Sequence, residues 1–257
     1  MRCIGKSLAS SAYAMSLETI ALTQLPRLDH LKVLDLGCGE GRHSISIWMQ
    51  TRAQVIAMDL SRDDMLTAQG RKADFDVQES GSHSLNFVEA SGLNLPFADE
   101  TFDVVICSEV LEHIPDFEAM LKEIDRVLIR GGVFAMSVPR YGPEWLCWKL
   151  STAYHEVPGG HLRIFDAKVL NRHIETLGFF RYAKHFAHGL HSPYWWLKCL
   201  FWSSADENPL VKAYHRLLVW DLMQKPWLTR ILEKLLNPLI GKSVAMYYIK
   251  GKHPRAL

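Results

Sequence analysis

Cysteine is sparse and shows no pairing pattern: five in 257 residues, at positions 3, 38, 107, 147 and 199, with no Cys-x-x-Cys spacing. That excludes a disulfide scaffold and a zinc knuckle and fits a reducing compartment, so a cytoplasmic location is expected. No stretch of 18 apolar residues occurs, which removes a candidate spanning helix. The segment after Lys6, LASSAYAMSLETIAL, is broken by Ser and Glu and makes a poor secretory leader. Internal repeats and low-complexity tracts are absent too. Net charge is only +1, while a 48% apolar and 22% charged composition is that of a globular chain able to bury a core.

The small net charge is a cancellation. Residues 1–140 hold 13 Lys/Arg against 20 Asp/Glu, whereas residues 141–257 hold 16 against 8. Seven of the eight tryptophans lie in the basic half, Trp48 being the exception. The front is acidic, and the back is basic and aromatic.

Short apolar runs alternate with helical patterns. KVLDLG (Lys32–Gly37), AQVIAMDLS ending near Asp59, LNFVEAS, DVVICSEV (Asp103–Val110) and VFAMSVP read as five strands. The spacing predicts helices over 16–26, about 42–50, from about 62, and over 116–129, the last closed by Gly131-Gly132 as a left-handed cap. After Pro139 a loop with Gly159-Gly160 leads to a helix over 166–177 and a strand around 180–187, and SVAMYYIKG supplies a last strand. Between these, Ser192-Pro193 and Asn208-Pro209 each look like an N-cap followed by proline, and Leu228, Ile231, Leu232, Leu235, Leu236 and Leu239 share one helix face. The expectation is an α/β, doubly wound, seven-stranded and mostly parallel sheet. Residues 1–189 and 243–257 would form the sheet unit, and 190–242 a helical cap inserted before the last strand.

VLDLGCGEGRHS (Val33–Ser44) is the strongest motif: a strand ending in Asp35, then Gly37, Gly39 and Gly41 for a tight turn and close approach of a ligand. A dinucleotide fingerprint starting at Gly37 needs glycine where Arg42 stands, and no Gly-Lys-[Ser/Thr] of a P-loop occurs. Here the chain resembles the class I S-adenosylmethionine-dependent methyltransferases, whose first motif is this Asp-x-Gly-x-Gly-x-Gly turn. NLPFADETFD (Asn94–Asp103), SEVLEHI (Ser108–Ile114), RVLIRGGVFAMSVP and an acidic Asp59 ending the second strand support the resemblance, in order. HLRIFDAKVL (His161–Leu170) resembles members that methylate small molecules.

The resemblance implies a Rossmann-like fold and S-adenosylmethionine as cofactor. Gly37, Gly39 and Gly41 would line its methionine part, Asp35 would bind its ammonium through solvent or backbone, and Asp59 and Leu60 would hold ribose and adenine. Relatives usually carry an acidic residue where Ser91 stands, so backbone near Gly92 or Leu93 would replace part of the adenine contact. For an acceptor hydroxyl, His113 is the first choice of general base, oriented by Glu109 or Glu112, and His161 the second. Glu112, His155, Arg163, Trp195 and Trp196 are placed at the acceptor.

PYWWLKCLFW (Pro193–Trp202) reads as a lipophilic acceptor channel or an interfacial foot at a membrane surface; the bland alternatives are packing on the sheet or pairing of two subunits. The acceptor is expected to be a small or lipid-linked amphipathic molecule, with a glycan hydroxyl or a non-methylating, cofactor-binding partner protein as alternatives. Nucleic acid is not expected, because no RNA-binding module and no Asn-Pro-Pro-[Tyr/Phe] signature accompanies the motif. His185, His188 and His191 have metal-like spacing but no nearby carboxylate or thiol, so no metal site is expected.

Overall fold

Val33, Leu34, Val104, Val105, Ile106, Phe134 and Ala135 are wholly buried, as strands covered on both faces require. In the computed structural model, which describes residues 18–251 other than 76 and 82, they belong to a seven-stranded sheet. Its strands are β1 (Lys32–Leu36), β2 (Gln54–Asp59), β3 (Ser84–Glu89), β4 (Phe102–Ser108), β5 (Leu128–Pro139), β6 (Phe179–Ala187) and β7 (Ser243–Lys250). The order is β3-β2-β1-β4-β5-β7-β6, with β7 antiparallel to β5 and β6 and the remaining pairs parallel. The chain winds outward from β1 to β3, then restarts at β4 on β1's other side. The winding thus reverses at the carboxyl ends of β1 and β4, the place where open α/β sheets bind their ligands.

Helices α1 (Arg42–Gln50), α2 (Arg62–Ala73), α3 (Phe117–Val127), α4 (Tyr141–Leu150) and α5 (Ala167–Thr176) flank the sheet or follow its strands, and α6 (His191–Leu200), α7 (Pro209–Gln224) and α8 (Trp227–Ile240) connect β6 to β7. Alternation along the strands divides the core. Leu34, Val105, Phe134 and Tyr248 pack with Leu121 and Ile124 of α3 and Leu170 of α5, while Val33, Ile106, Ala135 and Tyr247 pack with Ile45 and Trp48 of α1. Side chains cap the helices where the sequence offers them: Ser61 accepts from Asp64 N–H, Asp116 from Ala119 N–H, Asp166 from Val169 N–H and Asn208 from Leu210 N–H.

Five expectations change. The helix over 16–26 does not form across residues 18–26, which hold only a 3₁₀ turn at Leu22–Gln24; positions 16 and 17 lie outside the described residues. Tertiary partners take the backbone instead, since Thr19 and Ile20 N–H both donate to His43 Nε2 at 3.2 Å and Ala21 N–H to Tyr247 Oη at 2.8 Å. Burial holds the His43 pKa well below its usual value, which keeps Nε2 an acceptor. Gly131, with φ +78°, does not cap α3; that helix runs straight into β5, and the glycine lies in the strand where its pairing with β4 shifts register. Helix α4 was hidden by Gly142-Pro143, which reads as a turn. Proline is tolerated there because the first turn of a helix needs no N–H partner. Ser192 is not an N-cap but lies inside α6 and donates to Ile240 O at 2.5 Å.

The fifth concerns α8. Leu228, Ile231, Leu232, Leu235 and Leu239 do share a face, but that face is exposed. Thr229 is buried instead, with Glu233, Leu236, Asn237 and Ile240 partly so, and the helix contacts β6. The apolar stripe points away from the protein.

Candidate functional site

At the carboxyl end of β1 the chain turns back on itself. Gly37, at φ +72°, and Cys38 donate their N–H groups to Met58 O at 2.8 and 3.0 Å, pinning the turn to β2. A Cβ on Gly37 would stand 2.3 Å from Val110 Cγ2, so only glycine lets the loop after β4 close on this turn. Gly39, also at positive φ, donates to Asp59 Oδ2 at 2.8 Å, and a Cβ there would meet nothing within 4 Å: the turn has an open side. Asp59 Oδ1 accepts from Ser61 N–H at 2.8 Å, and each carboxylate oxygen keeps a lone pair for a ligand. Leu60 beside it is 71% exposed. Ser91 Oγ accepts from Leu93 N–H at 3.3 Å, and Gly92 lies against Leu36 and Met120 at the crevice edge.

Asp35 is 1% exposed and accepts the Ser44 hydroxyl, so it ties β1 to the first turn of α1. Burial pushes its pKa up to about 6. The unfolded carboxyl ionises near ~3.9, so the folded protein holds this proton longer. The contribution to stability is fully present below pH ~4 and is lost as pH rises to about 6, by ~3 kcal/mol. Asp35→Asn keeps an acceptor for Ser44. Its urea midpoint should fall less than that of the wild type between pH 4 and pH 7, and equal falls would dismiss this assignment.

A polar cluster follows β4. Glu109, at φ +57°, receives the Ser137 hydroxyl at 2.7 Å. Glu112 is wholly buried and neither of its oxygens has a hydrogen-bond partner; burial, then the charge of Glu109, holds its pKa well above the usual value. His113 Nε2 lies 4.0 Å from Glu112 Oε1, and its Nδ1 bonds to Gly160 O at 3.3 Å. The His161 ring sits 4.9 Å from that of His113. Burial and the neighbouring His161 push the His113 pKa down.

His161 is the better held of the two imidazoles, by a residue the sequence did not reveal. Its Nδ1 bonds to Glu144 Oε1 at 2.6 Å, and Glu144, buried in α4, also accepts from Trp148 Nε1 and Tyr154 Oη and faces Lys242 Nζ at 3.5 Å. Burial pushes the Glu144 carboxyl up, but His161 and Lys242 outweigh it and its pKa falls below normal. Glu144 and Lys242 come from segments 98 residues apart in sequence, so linear spacing carries no sign of the pair.

The remaining candidates separate. Arg163 donates to Ile114 O and Pro115 O at 2.7 and 3.0 Å and stacks over Phe117, so its guanidinium braces the loop that follows His113. Trp196 donates to Pro143 O at 3.0 Å and is spent on α4. His155 stacks on Trp148 at 4.2 Å. Trp195 borders a cavity of about 700 Å³ beneath α7 and α8 and also touches Lys242 and Tyr154. His185 and His188 bond Thr19 and thereby hold the segment before β1.

Residues 34–136 match the model of a methyltransferase domain, a span that contains both the glycine turn and the cluster after β4. The matched span, about two fifths of the chain, is similar to methyltransferase domains. It is 37% identical over 134 residues to the sterol 24-C-methyltransferase of Aspergillus fumigatus, covering 52% of this chain and 32% of that protein. Against methyltransferase GfsG of Streptomyces halstedii it is 33% identical over 106 residues, covering 41% and 37%. The matched region thus spans about a third of these relatives. The geranyl diphosphate C-methyltransferase of Streptomyces coelicolor, solved with Mg²⁺, geranyl diphosphate and S-adenosyl-L-homocysteine, shares the fold with a TM-score of 0.59 at 14% identity, over 93% of this chain and 77% of that one.

The turn fits that cofactor. The open side at Gly39, the Asp59 carboxylate and the exposed Leu60 offer a cradle, an acceptor for hydroxyls and an apolar rest for a base. Asp59→Ala removes two backbone hydrogen bonds along with the hydroxyl acceptor. Calorimetry should show S-adenosylhomocysteine binding weakened by ~1–3 kcal/mol.

Proposed function

We propose that this protein methylates a hydroxyl of a small or lipid-linked amphipathic acceptor, using S-adenosylmethionine. The observation that carries this reading is a juxtaposition: Val110 closes on Gly37, and Glu109, Glu112 and His113 flank that contact. Groups able to bind and activate an O–H thus adjoin the cofactor turn. S-adenosylmethionine supplies a methyl group on a sulfonium, an electrophile already activated. The protein has to position the acceptor and keep water out, and the buried Glu112, the clamped His161 and the aromatic wall of Tyr154 and Trp195 serve that purpose.

A lipid-like acceptor is supported from outside the crevice. The exposed face of α7 and α8 carries Trp220, Met223, Trp227, Leu228, Leu235 and Leu239. The exposed charges on these two helices are all positive, Lys212, Arg216, Arg230 and Lys234, whereas Asp221 and Glu233 are partly buried. On α7 Lys212 and Arg216 stand two and one turns before Trp220 on the same face, which suits an anionic lipid surface, whereas Arg230 and Lys234 of α8 border the cavity beneath it. Two relatives bear names with lipid-like substrates, a sterol and demethylmenaquinone. No helix among the described residues is long and apolar enough to cross a membrane, so contact would be peripheral.

The test is transfer of labelled methyl into separated lipid, glycan and RNA fractions of the source cell. Label recovered as a methyl ether in the lipid fraction is expected. Label on carbon, or in RNA alone, would reject the proposal.

A further inference from the structure

Glu112 is a buried carboxylate without a hydrogen bond, a state that folded proteins ordinarily avoid. Lys242 does not relieve it, being drawn to Glu144 at 3.5 Å. What faces Glu112 is the Nε2 edge of His113 at 4.0 Å. Both imidazoles nearby have their other nitrogen committed. His113 Nδ1 meets the Gly160 carbonyl and His161 Nδ1 meets the Glu144 carboxylate, and each of these partners can only accept. The proton therefore sits on Nδ1 in both rings, and Nε2 keeps its lone pair. One ligand atom from each of Glu112, His113 and His161 lies within 4.8 Å of the others.

We propose that Glu112, His113 and His161 bind a divalent transition-metal ion of the Mn²⁺ or Zn²⁺ type. Two neutral imidazoles and one carboxylate form the donor set such ions prefer over Mg²⁺, and the outer hydrogen bonds from Gly160 and Glu144 fix the rings as metal-binding histidines are usually fixed. Ligand atoms bound ~2.1 Å from a common ion stand ~3.4 Å apart, so the widest gap closes by up to about 1.4 Å on loading. The metal-like spacing in the sequence belongs to a different histidine group, His185, His188 and His191, where no site is expected and two of the rings are occupied in holding Thr19.

The role of the ion rests on the O-methylation reading. Three protein ligands leave coordination positions open, and an acceptor oxygen placed there loses its proton to solvent more readily. The two imidazoles then hold the ion and do not act as the base.

The test is titration of the EDTA-treated full chain with Mn²⁺ by electron paramagnetic resonance and with Zn²⁺ by calorimetry. One ion per chain is expected. Affinity should drop at least a hundredfold in Glu112→Gln and His161→Ala, and about 10–100-fold in Glu144→Gln, which loses only the orienting bond. S-adenosylhomocysteine binding to the metal-free proteins, wild type and variants, should be the same, which also reports that they are folded. Failure of both ions to bind, or equal binding in Glu112→Gln, overturns the site and leaves the methyltransferase reading standing. A protein that takes the ion but not S-adenosylhomocysteine overturns that reading and, with it, the role given to the ion.

Discussion

Methyl transfer falls by about 10²–10⁴-fold in His161→Ala, while affinity for S-adenosylhomocysteine stays at the wild-type value. The expectation comes from how this imidazole is held. A histidine on a loop would ordinarily sample several rotamers, but a 2.6 Å bond to a carboxylate buried in α4 fixes both ring and tautomer. Glu144 is itself fixed by Trp148, Tyr154 and Lys242. Whether the free nitrogen takes a proton or an ion, removing the ring removes the activation of the acceptor and leaves the glycine turn untouched. Glu144→Gln keeps the shape and loses the charge, so a smaller loss is expected, carried by kcat more than by KM, with a shifted pH profile. The double variant should be little worse than His161→Ala, because the two side chains act as a unit. Single-turnover kinetics checks this. An additive double variant, or a His161→Ala enzyme at wild-type rate, removes His161 from the mechanism.

The cofactor half of this site was legible in the sequence and the acceptor half only partly so, for a physical reason. The glycine turn and Asp59 are local features. Backbone that must adopt positive φ at Gly37, Gly39 and Gly41 writes glycine at fixed spacing, and the carboxylate that fastens Gly39 stands at the end of the adjacent strand. Asp35 looked like part of the same motif, but only the fold shows it turned inward to Ser44. Glu144, His161 and Lys242 meet because α4, the loop after it and the start of β7 come together, and nothing in the spacing records that meeting. The inner strands β1, β4 and β7 were recognisable because strands buried on both faces are continuous apolar runs. The segment before β1 was misread because its N–H groups are satisfied by His43 and Tyr247, partners remote in sequence. Periodicity placed six apolar residues of α8 on one face but carries no information about which way that face points.

That outward face supports the second large effect. Replacing Trp227, Leu228, Leu235 and Leu239 together by serine should abolish binding to vesicles of phosphatidylcholine with a minority of phosphatidylserine. Trp227 and Leu239 are 73% and 71% exposed, so these side chains contribute little to the folded core, and circular dichroism should report unchanged helix content. Each large apolar side chain contributes ~1.5–3 kcal/mol when fully buried, so partial insertion of four gives ~4 kcal/mol, or roughly a thousandfold in affinity. Lys212 and Arg216 add about 1 kcal/mol each near an anionic surface, so wild-type binding should weaken as salt is raised and on vesicles of phosphatidylcholine alone. Cosedimentation measures both effects. A wild-type protein that ignores vesicles but forms a dimer that the serine variant cannot form would assign the face to a second copy of the chain. In that case the acceptor must reach the crevice from solution, and the basic back of the protein meets a soluble anion instead of a bilayer.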